Sequence, residues 1–157
     1  GKEVIPVKYD WIGEFSKYGL ALAKLDNKTG CISTSGKEVI PVKYDWIGKF
    51  SDDHYWTMVK LDNKCGYINI NGKEVIPVKY DWIGEFSEKD GWALAKQDNK
   101  YGYINKAGKE VIPIKYDCIG EFSEEGRALA KLDNKCSYIN KTGEESLSDV
   151  TERTDCK

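Results

Sequence analysis

Histidine is almost absent from this chain of 157 residues. His54 stands alone, so a Ser-His-Asp or Cys-His mechanism would have to pass through that one side chain. It lies in an irregular stretch beside Tyr55 and Trp56 and reads as a solvated loop residue, so catalysis is not expected. Long apolar runs are missing as well; the longest span a few residues, far below the roughly 20 that a spanning helix needs. Charge of one sign is missing too. The 24 basic and 26 acidic residues are interleaved and leave a net charge of −2. No basic cluster is present to grip nucleic acid or an anionic bilayer.

Paired cysteine chemistry is also lacking. The count is five, an odd number, and no C-x-x-C occurs, which argues against both a disulfide framework and a zinc site. Cys118 takes the place held elsewhere by Trp11, Trp46 and Trp82, and Cys31 the place of Tyr67, Tyr103 and Tyr138. Cys65 and Cys136 share a third place with Thr29 and Tyr101. Substituting for aromatic and semi-buried residues is the behaviour of a small hydrophobe, and it favours a reducing compartment. The chain carries neither a signal peptide nor an initiator methionine, and reads as a fragment or a processed product.

What is there is repetition. The words GKEVIPVKYDWIG stand unchanged at 1–13, 36–48 and 72–84, and return as GKEVIPIKYDCIG at 108–120. Copies beginning at Gly1, Gly36, Gly72 and Gly108 have periods of 35, 36 and 36 residues, which signifies a repeat architecture. The segments are 1–35, 36–71, 72–107 and 108–142. A polar, acidic tail follows at 143–157; it starts as a fifth copy, dissolves, and is expected to be frayed.

Each copy parses into four short extended runs. The first, Glu3-Val4-Ile5, meets Pro6, which removes a ladder donor and predicts an edge strand or a strand end. Lys8-Tyr9-Asp10 bends the chain, with the Asp expected to cap its own turn. Trp11 to Phe15 is the second run, Leu20 to Leu25 the third, and Gly30 to Ser33 the fourth. Asp26-Asn27 between the last two predicts a tight hairpin, because both residues tolerate positive φ. Connections this short predict an antiparallel meander, and the fold class is all-β. No stretch sustains helical spacing, which excludes helical repeats of similar period. In Ala93-Leu94-Ala95 neither face is polar, so sheets covered on both sides are expected, the Ala face admitting a close neighbour. Four antiparallel strands per repeat is the blade formula of a propeller, with an open curved array as the alternative.

These residues resemble the bacterial WG or KWG repeats. Ile-Pro at 76–77, Tyr-Asp at 80–81, Phe-Ser at 86–87, the Ala-rich strand at 93–96, Lys-Tyr-Gly-Tyr-Ile at 100–104 and Gly108 carry the likeness in the third copy, and it extends over about 1–142. The Trp of Lys-Trp-Gly is replaced by Thr29, Cys65, Tyr101 and Cys136. The resemblance implies β-rich, propeller-like repeats with no established enzymatic activity.

Candidate sites follow from where the copies differ. The loop after Phe reads SKYGL, SDDHYW, SEKDGW and SEEGR in turn. Variable loops on a fixed scaffold are where recognition resides, and Trp, Tyr and Arg make good anchors. Tyr18, His54, Tyr55, Trp56, Trp92 and Arg127 are therefore the expected contact residues. A protein or peptide partner is expected through one rim, with carbohydrate stacking as the alternative. The recurring Trp11, Trp46, Trp82, Phe15, Phe50, Phe86 and Phe122 are read as core. Asp10, Asp45, Asp81 and Asp117 are read as turn caps, with a shared cation the alternative. The Asp-Asn pairs lack the ligand spacing of a calcium loop, and Gly30 to Lys37 has neither the length nor the helix of a phosphate loop. No cofactor is expected.

Overall fold

The computed structural model describes residues 8–50 and 55–146. Four antiparallel sheets of four strands follow one another along the chain, with no helix among the described residues. Sheet 1 runs β1 (Trp11–Ile12), β2 (Leu20–Leu25), β3 (Lys28–Ser33) and β4 (Glu38–Tyr44). Sheet 2 is β5 (Trp46–Ile47), β6 (Trp56–Leu61), β7 (Lys64–Asn69) and β8 (Glu74–Tyr80). In sheet 3 the strands are β9 (Trp82–Ile83), β10 (Trp92–Gln97), β11 (Lys100–Asn105) and β12 (Glu110–Tyr116). Sheet 4 has β13 (Cys118–Ile119), β14 (Arg127–Leu132), β15 (Lys135–Asn140) and β16 (Glu145–Ser146). Each is a meander with strands in sequence order, as the short connections demand. The chain divides into two compact units, Gly1–Lys79 and Tyr80–Lys157.

The sheets run out of step with the copies of text. Sheets 1, 2 and 3 take their outer strand from the Glu-Val-Ile-Pro words that open the following copy, and sheet 4 takes Glu145–Ser146 from the tail. The first run of the chain, Glu3-Val4-Ile5, and the tail beyond Ser146 lie outside the described residues. The second run is shorter than expected: only Trp11 and Ile12 pair, opposite Lys24 and Ala23.

The proline strands occupy edges, and they continue through the proline rather than stopping at it. Cys31 pairs with Ile40 and Thr29 with Tyr44, so β4 spends four residues where β3 spends two. This bulge swings the Ile40 and Pro41 carbonyls over Gly30. A Cβ on Gly30 would lie 2.4 Å from the Ile40 oxygen, and one on Gly66 would lie 2.4 Å from that of Ile76. Only glycine admits so close a backbone approach.

All four Asp-Asn hairpins have both residues at positive φ, 52° and 66° for Asp26 and Asn27, the geometry of a two-residue I′ turn. The preceding Asp caps this hairpin. Asp10 Oδ2 accepts the Asp26 N–H at 2.9 Å, and Asp45, Asp81 and Asp117 do the same for Asp62, Asp98 and Asp133. The side chain reaches the hairpin because Trp11 faces Lys24 and the Asp10 N–H donates to the Lys24 carbonyl at 2.8 Å, which sets the Asp beside the turn.

Within Gly1–Lys79, Cys31, Ile40 and Tyr44 of sheet 1 pack on Ile47, Val59 and Ile68 of sheet 2. Within Tyr80–Lys157, Ile112 and Tyr116 of sheet 3 pack on Ile119, Ala128, Ala130 and Ile139 of sheet 4. Each buried isoleucine contributes roughly 1.5–3 kcal/mol. The Ala positions are buried, and Ala21 and Ala23 form a separate small cluster with Ile32.

Candidate functional site

A meander sends the β1–β2 and β3–β4 connections to one end of a sheet and the β2–β3 hairpin to the other. The variable loops therefore share an end with the Gly-bearing turns, while the Asp-Asn hairpins share the opposite end with the Tyr-Asp corners.

At the variable end, the loops of sheets 1 and 2 meet. The rings of Tyr18 and Tyr55 lie edge to face with centroids 5.4 Å apart at 74°. Tyr18 is positioned by its N–H, which donates to Ser16 Oγ at 3.2 Å, and by Gly19, whose φ of 74° closes the turn. Tyr55 sits at φ 54°, costly for an aromatic residue, and its carbonyl accepts the Ile70 N–H at 3.0 Å. Its side chain is 52% exposed. His54, immediately before it, lies outside the described residues.

The other anchors divide. Trp56 is 8% exposed and packs on Tyr67 at 4.4 Å. Trp92 is half-buried between Tyr103 and Phe122, at 6.0 and 5.8 Å. Both face inward as the first residues of β6 and β10, the strands that follow the loops. They support the loops from beneath. Arg127 is exposed, 4.9 Å over the Tyr138 ring and 3.9 Å from Glu125. In the loop of the third copy, Asp90 is held by Lys141 at 3.1 Å.

Sequence reasoning placed Trp11, Trp46 and Trp82 in the core; they are instead 49%, 47% and 48% exposed. Each stands opposite a lysine across an edge pair, with Lys24 over Trp11 at 5.2 Å and Lys60 over Trp46 at 5.1 Å. The ring folds back over the glycine two residues on. A Cβ at Gly13, Gly48 or Gly84 would meet it at 2.8 Å. That Trp-x-Gly spacing is the signal by which these surface aromatics could have been found. Phe15 is 39% exposed, and Phe50, Phe86 and Phe122 are half-buried.

At the hairpin end, the Asp carboxylates carry the electrostatics. Lys28 donates to Asp45 Oδ1, and Lys100 to Asp117 Oδ1, each ion pair tying one sheet to the corner that starts the next. The lysine partner, together with the backbone N–H of the hairpin, holds Asp45 and Asp117 below the ordinary carboxylate range. A folded value below the unfolded one means that this stabilisation is present above about pH 4. It is lost as pH falls through the folded value. Asp45→Asn is expected to flatten the acid side of the stability–pH curve in low salt, measured by urea unfolding at a series of pH values. An acid limb identical to the parent's would remove Asp45 from this account.

The tyrosines of the same corners act as staples. Tyr9 and Tyr44 donate to Glu38 at 2.8 Å and Glu74 at 2.7 Å. Burial and the Glu38 carboxylate push the Tyr9 hydroxyl up to about 12. Burial pushes the Cys31 thiol up to about 12 as well, so it stays protonated at neutral pH and supplies no thiolate nucleophile. Among the described residues no group of three or more His, Cys, Asp or Glu side chains is placed to hold a metal ion, and no helix is long and apolar enough to cross a membrane.

No curated protein matches the chain. Among solved structures it is similar to "KlHsv2 with loop 6CD replaced by a Gly-Ser linker", at 8% identity and a TM-score of 0.39, over 82% of this chain and 47% of that one. It is also similar to a chain titled "Crystal structure of the eukaryotic initiation factor", at 12% identity and a TM-score of 0.43, over 100% and 46%. A third is an AfRom2 CNH domain, at 10% identity and a TM-score of 0.28, over 92% and 72%. The chain thus spans about half the length of the first two. The family model described as WG containing repeat matches four times, at 1–28, 30–65, 66–101 and 101–136. Its segments at Gly30 and Gly66 begin at the glycines that lie beneath the bulged strands. With four tandem matches spanning most of its length, the chain belongs to the WG-containing repeat family.

Proposed function

We propose that this chain is a non-catalytic repeat scaffold that binds a protein or peptide partner through the loops joining the first two strands of its sheets. The observation that carries this reading is the Tyr18–Tyr55 pair. Two loops that differ between copies converge there, and one ring is held half in solvent on a left-handed backbone. Strained, exposed aromatics on a rigid frame are the usual anchors of recognition. Trp56 and Trp92 brace the loops, and Arg127 is an exposed cation on the corresponding strand of sheet 4.

A double variant tests it. Tyr55→Gly removes the ring and relieves the positive φ, and Tyr18→Ser removes its neighbour, so folding should be preserved. Partner retention in a quantitative pull-down is expected to fall at least about tenfold with an unchanged thermal melt. Undiminished retention would reject the tyrosine pair as the contact.

Carbohydrate binding is the second reading, favoured by the half-exposed Trp11, Trp46 and Trp82. It ranks lower because Lys24 and Lys60 already lie over two of the ring faces on which a sugar would stack. A glycan array separates the readings: signal lost with Trp46→Ala supports the second, and a blank array removes it.

A further inference from the structure

The four sheets offer the same seat to an outer strand, and in three of them that seat is built around a glycine. Gly30, Gly66 and Gly102 pair with Ala23, Val59 and Ala95. A Cβ on any of them would meet a backbone carbonyl oxygen of the bulged Ile-Pro strand, at 2.4 Å from Ile40, 2.4 Å from Ile76 or 2.5 Å from Ile112. Backbone atoms held in a ladder cannot give way as the tip of a flexible side chain can. The corresponding residue of sheet 4, opposite Ala130, is Ser137. It carries that Cβ, together with a hydroxyl.

We infer that Ser137 closes the outer seat of sheet 4 to the Ile-Pro strand, so that a second copy of this chain cannot dock its Gly-Lys-Glu-Val-Ile-Pro-Val-Lys-Tyr segment against β15. The strand that does pair there agrees, because it is seated differently: Ile139 faces Glu145 and Tyr138 faces Ser146, residue for residue. In sheets 1 and 3 the register shifts at this place, Ile32 facing Glu38 but Cys31 facing Ile40, and Ile104 facing Glu110 but Tyr103 facing Ile112. An open edge bearing the same words as its neighbours would invite strand exchange between molecules. One Cβ removes that option while leaving a straight strand admissible.

The test uses the whole chain with a fluorescently labelled peptide, Gly-Lys-Glu-Val-Ile-Pro-Val-Lys-Tyr-Asp, and three proteins: the parent, Ser137→Gly and Ser137→Ala. Anisotropy is expected to show Ser137→Gly binding the peptide at least about tenfold more tightly than the other two, the scale of relieving one overpacked contact. Sedimentation velocity should show self-association of that variant alone. Equal peptide affinity in all three proteins would overturn the inference, as would binding by Ser137→Ala that matched Ser137→Gly. The reciprocal change reports on the same steric premise in an occupied seat. Gly66→Ser is expected to raise amide exchange across β8 at least about tenfold, and unchanged exchange there would also overturn it.

Discussion

Replacing Gly72 with alanine is expected to destabilise the Gly1–Lys79 unit by about 3 kcal/mol, as two costs fall on one atom. Gly72 closes the turn after β7, with its N–H donating to the Asn69 carbonyl at 3.0 Å and its φ at +87°. An L-residue in this region costs roughly 1–2 kcal/mol in backbone strain. The added Cβ would also lie 2.1 Å from the Val39 carbonyl oxygen of β4, so the turn of sheet 2 would be forced off the strand of sheet 1. Overpacking of this kind adds about 1–3 kcal/mol. Gly143 supplies the internal control. Its φ is +84°, but the nearest atoms to an added Cβ are the Ile112 and Pro113 side chains at 3.8 Å, an ordinary contact. Gly143→Ala should therefore show the strain alone, about 1 kcal/mol. Urea unfolding of both variants measures the difference; equal losses would mean that the close approach to Val39 contributes nothing.

Tyr44→Ala should cost still more, about 4 kcal/mol, the usual range for emptying a buried aromatic position. The side chain is 1% exposed and lies in the cluster where sheets 1 and 2 meet, and its hydroxyl donates to Glu74. Tyr44→Phe keeps the ring and loses only that hydrogen bond, so about 1 kcal/mol is expected. The two variants also differ in their response to alkali. Burial, reinforced by Glu74, pushes the Tyr44 hydroxyl well above its ordinary value. A raised folded value means that the neutral form is preferred by the native state. Its contribution is complete below about pH 10 and is lost as pH climbs toward the folded value. The parent should thus lose stability above about pH 10 more steeply than Tyr44→Phe. Parallel alkaline limbs in the two proteins would remove Tyr44 as the source.

What could be read from the text alone was local. Asp26-Asn27 announces its hairpin because both residues must adopt positive φ, and no distant residue alters that requirement. Pro41 announces an edge because a residue without an N–H has no place in an inner strand. The partner of Asp10 was not legible. Its carboxylate serves a turn 16 residues further on, which no local preference specifies. Trp46 was misplaced for a related reason. Its ring has the area of a core residue, but it occupies a two-residue edge strand and is satisfied by Lys60 and by the flat surface above Gly48. For the candidate site, the loops were identifiable as the variable parts. The meeting of Tyr18 with Tyr55, and the inward turn of Trp56, depend on how sheets 1 and 2 pack, which lies beyond any single copy.

The phase offset between text and sheet bears on where the array can be divided. A copy of text taken at its own boundaries, 36–71, carries Glu38–Tyr44, the outer strand of sheet 1, and lacks Glu74–Tyr80, the outer strand of sheet 2. A segment from Asp45 to Tyr80 holds all four strands of sheet 2 instead.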